Sequence, residues 1–271
     1  MRFLLSFILL MASSMFVCNA QRTFVLSNSA DGQSELTVYL PSAELAAQSG
    51  GRVVVGCPGG GYSHLSMANE GHDWAEFFTS RGIAYVVLKY RMPGGDRNIP
   101  LSDAYNAIKT VRDSAALWNI DAHKVGIMGF SAGGHLASSV CTHADDAVRP
   151  DFAILFYPVI SMDETVTHKG SCVGFLGEQR NDPELQAEWS NQNKVVAGVT
   201  PPTIILLASD DRAVPAATNG VAYYAALCKA GIRCEFHGYP SGGHGFGFKS
   251  TFKYHDRMLD NLSNWLRQFE N

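Results

Sequence analysis

The chain has 271 residues, of which 46% are hydrophobic and 17% charged, and its net charge is −4. This length suffices for one large α/β domain with a substantial core, and the composition is that of an ordinary globular protein. Because the net charge is small and no run of five like charges occurs, a nucleic-acid-binding or polybasic membrane surface is not expected. The expected partner is a neutral or mildly polar substrate, not a nucleic acid.

The first twenty residues differ from the rest of the chain. Arg2 supplies a positive charge, Phe3–Met11 is an apolar stretch, and small residues stand at positions −3 and −1 of a cut after Ala20. This pattern is typical of a secretory signal peptide, and the stretch is too short for a membrane span. The alternatives are a buried N-terminal strand and lipoprotein processing at Cys18, although the large residues before this cysteine disfavour lipidation. Residues 1–20 are predicted to be removed, leaving a secreted or periplasmic protein without stable membrane insertion.

Beyond the signal peptide, short apolar runs rich in β-branched residues alternate with helical patterns. The predicted strands are Glu35–Leu40, Arg52–Gly56, Ala84–Lys89, Lys124–Gly129, Phe152–Tyr157, Thr203–Ala208 and Arg233–His237. The predicted helices are Asp73–Ser80, Leu101–Trp118, Ala132–Thr142, Ala216–Ala230 and Thr251–Phe269. This alternation predicts an α/β domain over residues 21–271, with a mostly parallel sheet covered by helices on both faces. The first of these strands alternates polar and apolar residues, as an antiparallel edge strand does.

One connection, residues 161–200, is long and has no strand pattern. It is polar, contains glycine and asparagine, and shows a helical fragment near Pro183–Trp189. Long loops inside compact domains are usually functional or mobile. Because this stretch leaves one central strand and returns before the next, it is predicted to form a cap-like insertion that overhangs the end of the sheet.

The segment Gly129–Gly133 reads Gly-Phe-Ser-Ala-Gly, a GxSxG motif between a predicted strand and a predicted helix. That context is typical of the nucleophile elbow of α/β hydrolases, where two glycines permit a tight turn that lifts the serine hydroxyl above the sheet. Ser131 is therefore the candidate nucleophile. The alternative is a tight turn with an incidental serine.

A serine hydroxyl needs a base to take its proton and an acid to orient that base, and in this fold the order along the chain is serine, acid, histidine. Of nine histidines, His244 alone combines this order with a glycine-rich loop between the last predicted strand and the last predicted helix. For the acid, Asp210 and Asp211 both follow the Thr203–Ala208 strand. Asp211 is favoured because it stands three residues before Val-Pro, the usual setting of this acid.

A second glycine-rich segment, Cys57–Tyr62, follows the predicted Arg52–Gly56 strand. Its backbone N–H groups at Gly60 and Gly61, together with that of Ala132 after the nucleophile, are predicted to form an oxyanion hole. The segment lacks the Lys-Ser/Thr and the GxGxxG spacing of phosphate-binding loops. A plain glycine-rich turn is the alternative.

After cleavage at Ala20 the chain would hold five cysteines, Cys57, Cys141, Cys172, Cys228 and Cys234. An odd number leaves at least one thiol free even in an oxidising compartment. No pair has CxxC spacing and no histidine cluster accompanies them, so no metal site and no cofactor are predicted. Most of these side chains are expected to be small buried groups.

From about Arg52 onward the chain resembles the small secreted carbohydrate esterases of bacterial polysaccharide degradation, the acetylxylan-esterase-like branch of the α/β hydrolases. The resemblance rests on Pro58–Tyr62, Glu70-Gly71, Leu88–Arg91, Gly129–Ala137, Thr200–Pro202 and Gly243–Phe246. Pro58 stands where related lipases and esterases carry the histidine of HGGG, which suggests a different supporting hydrogen bond beside the oxyanion hole.

This resemblance implies a serine carboxylesterase that removes short acyl groups, commonly acetate, from sugar hydroxyls of acetylated poly- or oligosaccharides such as xylan. It makes Trp189 a candidate sugar-stacking residue, unless its ring anchors the 161–200 segment to the core. A prolyl-oligopeptidase-like peptidase is an alternative, but 271 residues leave no room for its usual propeller. A general short-chain esterase or lipase and a non-catalytic scaffold are further alternatives. Against a lipase, residues 161–200 of this chain contain no strongly apolar helix that would open onto a lipid interface. Against a non-catalytic scaffold, which normally lacks a triad residue, all three triad candidates are present.

Overall fold

One eight-stranded sheet runs through residues 21–269, the part of the chain that this computed structural model describes. The predicted signal peptide, residues 1–20, lies outside the described residues. The strands are β1 (Arg22–Ser27), β2 (Glu35–Leu40), β3 (Val53–Cys57), β4 (Ala84–Lys89), β5 (Val125–Phe130), β6 (Phe152–Phe156), β7 (Thr203–Ala208) and β8 (Cys234–Tyr239). They lie in the order β1-β2-β4-β3-β5-β6-β7-β8. β2 pairs antiparallel with both of its neighbours, and all other neighbouring strands pair parallel.

Helices fill most of the connections between these strands. They are α1 (Ala43–Ser49), α2 (Ala75–Thr79), α3 (Asn98–Asp113), α4 (Ala115–Trp118), α5 (Ser131–His143), α6 (Lys169–Leu176), α7 (Pro183–Glu188), α8 (Gly220–Lys229) and α9 (His255–Leu266). Short 3₁₀ turns lie at His72–Trp74, Gly177–Asn181, Asn191–Asn193 and Arg267–Phe269. Within residues 21–269, none of these helices is both long and apolar enough to span a membrane.

The central strands are buried over their whole length. Every residue of β3, β5, β6 and β7 is buried, and in β4 only Lys89 at its end is exposed. Strands buried on both faces are expected to be almost continuously apolar, because neither face meets water. The prediction of a mostly parallel sheet covered by helices is confirmed.

The strand order places a crevice between β3 and β5. The chain passes from β3 to its neighbour β4 and then crosses back over β3 to β5. In open α/β sheets, ligands bind outside the carboxyl ends of the strands at the point where the order reverses. The loop after Cys57 and the turn at Ser131 both begin there, so the fold brings the two glycine-rich motifs together.

Two predictions about the sheet and its loops need correction. β1 was not predicted, and it pairs antiparallel with β2 along its full length, so Glu35–Leu40 is not the edge strand. The predicted helix Leu101–Trp118 begins three residues earlier and breaks after Asp113, where a short second helix follows. The remaining predicted elements are present, with ends shifted by up to four residues.

The 161–200 segment is more ordered than the prediction of a long loop. It contains α6, a helix that the sequence pattern did not reveal, and α7, which coincides with the predicted helical fragment. Asn191, fully buried, donates hydrogen bonds to the carbonyl of His135 and the hydroxyl of Ser138 on α5. The segment is therefore fastened directly to the helix that follows the GxSxG motif.

Candidate active site

The turn between β5 and α5 holds Ser131 in a strained backbone conformation. Its φ is +53°, a left-handed conformation that costs a non-glycine residue about 1–2 kcal/mol. The helix that follows approaches β3 so closely that a Cβ on Gly133 would lie 2.1 Å from the carbonyl oxygen of Cys57. Only glycine permits that approach, and the approach fixes the turn that presents the Ser131 side chain.

Ser131, His244 and Asp211 form one hydrogen-bonded chain. The Ser131 hydroxyl donates to Nε2 of His244 at 2.8 Å, and Nδ1–H of His244 donates to Oδ2 of Asp211 at 2.6 Å. Oδ1 of Asp211 accepts from the N–H groups of Ala213 and Val214, and its side chain is 1% exposed. A carboxylate fixed in this way holds the imidazole in the tautomer that leaves Nε2 free to accept the serine proton.

Asp210 points elsewhere, although it adjoins Asp211. It is exposed, and its Oδ1 accepts from the N–H of Gly243 at 2.8 Å. Hydrogen bonds from the N–H groups of Gly243 and then Gly242 lower the pKa of this carboxyl group, with a smaller contribution from Arg212. The structure thus places Asp211 on the His244 ring and Asp210 on the backbone of the loop that carries it.

The predicted oxyanion-hole residues lie beside the nucleophile. Gly60, Gly61 and Ser131 line one cavity of about 490 Å³, and a Cβ on Gly59 would lie 2.9 Å from the Cβ of Ser131. Ala132 is in the first turn of α5, where N–H groups have no partner within the helix. Within residues 21–269, the N–H groups of Gly60 and Gly61 donate to no other protein group. These donors are available to a developing negative charge.

A buried carboxylate, Glu70, connects the glycine-rich loop to the loop of His244. Its Oε2 accepts from the N–H of Gly59 at 2.9 Å, and its Oε1 accepts from the hydroxyl of Tyr157 at 2.7 Å. The Tyr157 oxygen in turn accepts from the N–H of Gly247. Burial raises the pKa of Glu70, while the hydrogen bonds from Tyr157 and Gly59 act in the opposite direction. Glu70 is thereby a positioning residue for both loops.

No role was predicted for Glu70, although Glu70-Gly71 is part of the family resemblance. Pro58 was expected to bring a different supporting hydrogen bond in place of the HGGG histidine. The glycine-rich loop has two such bonds, one from Tyr90 to the Pro58 carbonyl at 2.7 Å and one from Gly59 to Glu70. Both supporting side chains are far from the loop in sequence, so local patterns do not reveal them.

Trp189 lies away from this cavity. Its ring stacks on the imidazole of His143 with centroids 4.4 Å apart and meets Phe175 edge-on at 5.3 Å. Its carbonyl accepts a hydrogen bond from Nε2–H of the buried His135. Burial lowers the pKa of His135 to about 4. Trp189 is not among the residues that line the Ser131 cavity. These contacts favour the anchoring alternative over sugar stacking.

His168, from the N-terminus of α6, forms part of the cavity wall. Its Nδ1 accepts from the N–H and the hydroxyl of Ser171, so the proton of the neutral ring is on Nε2. Burial lowers the pKa of His168, and the nearby His244 lowers it further. Within residues 21–269, Nε2 has no hydrogen-bond partner and is not buried. The sequence analysis missed this donor because α6 was not predicted.

The remaining side chains that line the cavity are polar. They include Ser63, His64, Ser66, Asn69 and Lys249. These side chains offer hydrogen-bond donors and acceptors to a hydroxylated ligand, and among residues 21–269 no aromatic ring besides the imidazoles lines the cavity.

A family model described as the alpha/beta hydrolase fold matches residues 54–248, which is well over half of the chain. The chain belongs to this α/β hydrolase family. Its matched region includes the glycine-rich loop, the GxSxG turn, Asp211 and His244.

Among curated relatives, this α/β hydrolase is 49% identical to an acetylxylan esterase of Xylanibacter ruminicola over 96% of the chain and 53% of that protein. It is 35% identical to endo-1,4-beta-xylanase B of Butyrivibrio fibrisolvens over 69% of the chain and 31% of that protein. The chain therefore spans about half or less of the length of these relatives.

Among solved structures, one similar protein is an acetyl ester-xyloside bifunctional hydrolase from Caldicellulosiruptor lactoaceticus. The two share 35% sequence identity with a TM-score of 0.78, covering 87% of this chain and 88% of the other. The resemblance inferred from the sequence to the acetylxylan-esterase-like branch is confirmed.

Substitution of the two adjacent carboxylates is expected to lower kcat to very different extents. Asp211→Asn is expected to lower kcat by roughly 10²–10⁴-fold with little change in KM, because the amide favours the wrong tautomer of His244. Asp210→Asn should lower kcat less than about tenfold, because the amide oxygen still accepts from Gly243. Hydrolysis of p-nitrophenyl acetate measures both. The reverse order would assign the acid to Asp210.

Glu70→Gln tests the link between the two loops. Glutamine has one acceptor oxygen where the carboxylate has two, so either Gly59 or Tyr157 loses its acceptor. We expect kcat to fall about tenfold, the equivalent of about 1.4 kcal/mol, with KM nearly unchanged. Glu76→Gln on the exposed face of α2 is the matched control. An unchanged kcat in a folded Glu70→Gln variant would contradict this positioning role.

Proposed function

We propose that this protein is a serine carboxylesterase that removes acetyl groups from sugar hydroxyls of acetylated xylan or its oligosaccharides. The observation that carries the proposal is the hydrogen-bonded chain from Ser131 through His244 to Asp211, beside the N–H groups of Gly60 and Gly61. We assign the second source of oxyanion donors to the N–H of Ala132, the residue after the nucleophile.

The proposed reaction has two halves. Ser131 Oγ attacks the ester carbonyl while Nε2 of His244 takes its proton, and the N–H groups of Gly60, Gly61 and Ala132 stabilise the tetrahedral oxyanion. His244 then returns the proton to the departing sugar oxygen, which leaves an acetyl-serine. Water, deprotonated by His244, hydrolyses this intermediate and restores the serine hydroxyl.

The choice of substrate rests on the cavity and on the relatives. Polar side chains around Ser131 suit a hydroxylated leaving group better than a lipid chain, which prefers apolar walls. A relative that is 49% identical over 96% of this chain is named an acetylxylan esterase. Together with the predicted signal peptide, these points support action on polysaccharide outside the cytoplasm.

Acetate release from native acetylated xylan tests the proposal. The wild-type protein should release acetate and cleave p-nitrophenyl acetate, with much lower rates on long-chain esters and on a prolyl anilide. Ser131→Ala should lose roughly 10³-fold or more of the activity while its melting temperature stays close to that of the wild type. More than a tenth of wild-type activity in the folded variant would contradict the assignment of the nucleophile.

His168 provides a test of how the sugar is held. His168→Asn keeps an acceptor for the N–H of Ser171 and so keeps the cap of α6, but it removes the Nε2–H donor from the cavity. We expect kcat/KM on acetylated xylo-oligosaccharides to fall roughly three- to tenfold, mainly through KM, because one hydrogen bond is lost. The rate on p-nitrophenyl acetate should change less than twofold.

The exposed His123, away from the cavity, gives a matched control in His123→Asn. It should leave both substrates unaffected. Equal losses on the two substrates in His168→Asn would show that His168 serves the helix terminus and not the sugar.

A further inference from the structure

Two thiols lie close together at the amino end of the edge strand β8, away from the active-site loops, which follow the carboxyl ends of the strands. Sγ of Cys228 and Sγ of Cys234 are 3.5 Å apart. Cys228 is exposed in the last turn of α8, and Cys234, half-buried, is the first residue of β8. The other described cysteines, Cys57, Cys141 and Cys172, are completely buried.

A metal site does not account for this pair. Among residues 21–269, no cluster of three or more histidine, cysteine, aspartate or glutamate side chains is placed to hold a metal ion. Two sulfurs alone fall short of the four ligands of a structural zinc site. Two sulfurs this close together can instead form a covalent bond with each other.

We propose that Cys228 and Cys234 form a disulfide when the protein meets an oxidising disulfide compound. An S–S bond is about 2.05 Å long, so the two sulfurs must move about 1.5 Å closer together to form one. The connection between them, residues 229–233, is a short surface turn. Closing such a bond moves side chains and a turn, and leaves the strands in place.

The oxidation proceeds by two exchanges with a disulfide RSSR, for example oxidised glutathione. The Cys228 thiolate attacks one sulfur of RSSR, forming a mixed disulfide and releasing RS⁻. The Cys234 thiolate then attacks the Cys228 sulfur and displaces the second RS⁻. The two cysteines lose two electrons, RSSR gains them, and the two thiol protons end on two RSH molecules.

The exposed thiol reacts first. Burial and, to a smaller extent, the neighbouring Cys228 together raise the pKa of Cys234 to about 12, so little thiolate forms there in the reduced protein. Cys228 is open to solvent. Cys234 enters only the second, intramolecular step, where its proximity to the mixed disulfide compensates for its low thiolate fraction.

The bond would clamp the edge of the sheet that carries His244. β8 is the last strand and has β7 as its one neighbour. The loop of His244 follows β8, and α8 follows the loop of Asp211. Joining the end of α8 to the start of β8 would therefore restrain the edge strand without touching Ser131, Asp211 or His244.

Treatment of the reduced full-length protein with oxidised glutathione tests the proposal. Non-reducing peptide mass spectrometry should find the peptides of Cys228 and Cys234 joined, with a mass lower by two hydrogen atoms than their sum. The melting temperature should rise by several degrees, and kcat on p-nitrophenyl acetate should stay within twofold.

Cys228→Ser and Cys234→Ser should each abolish the joined peptides and the gain in melting temperature, whereas Cys141→Ala should retain both. A stable glutathione adduct on Cys228 with no joined peptides would overturn the proposal, as would unmodified thiols after prolonged treatment. Because the readout is covalent and thermal, it stands whether or not the enzyme acts on acetylated xylan.

Discussion

The active site depends on one close packing contact, that between α5 and the end of β3. A side chain on Gly133 would collide with the Cys57 carbonyl, so the helix can approach β3 only through glycine. That approach forces the preceding turn into the left-handed conformation of Ser131, at a cost of about 1–2 kcal/mol. The packed core of the sheet maintains the strain, since α5 is almost wholly buried. The strain in turn directs the hydroxyl toward His244.

Around this turn, loops from four parallel strands converge, and polar contacts set their mutual positions. Asp210 and Asp211 hold the His244 loop at two points, one through the backbone of Gly243 and one through the imidazole. Glu70 joins the glycine-rich loop to the same region from the other side. Asp211 and Glu70 are buried, and a buried carboxylate is costly unless its oxygens accept hydrogen bonds. Their full use of hydrogen bonds here explains how loops without regular structure remain ordered.

The sequence predicted what depends on local pattern and chain order. Apolar runs predicted the parallel strands, and glycine-rich turns next to these runs identified Ser131 and His244 as candidates. Asp211 was favoured over Asp210 by a short motif, and the structure places Asp211 on the imidazole. β1, α6, Glu70 and His168 were missed because strand pairing and bonds between distant segments create their roles. For Trp189 the sequence left sugar stacking and anchoring open, because a large aromatic residue in a loop does not indicate which neighbours it packs against.

The bond between His135 and residue 189 has a consequence for how the 161–200 segment can vary. His135 is also bonded to the hydroxyl of Tyr62, the last residue of the glycine-rich segment, so residues 161–200 are tied to that segment through one imidazole. On the side of the 161–200 segment, the imidazole of His135 donates to the main-chain carbonyl of residue 189, a group that every amino acid supplies. Substitutions at position 189 can therefore remodel the outer surface while the tether persists. This tether is therefore independent of the side chain at position 189, whereas the bonds that join Asn191 to α5 depend on a side-chain amide.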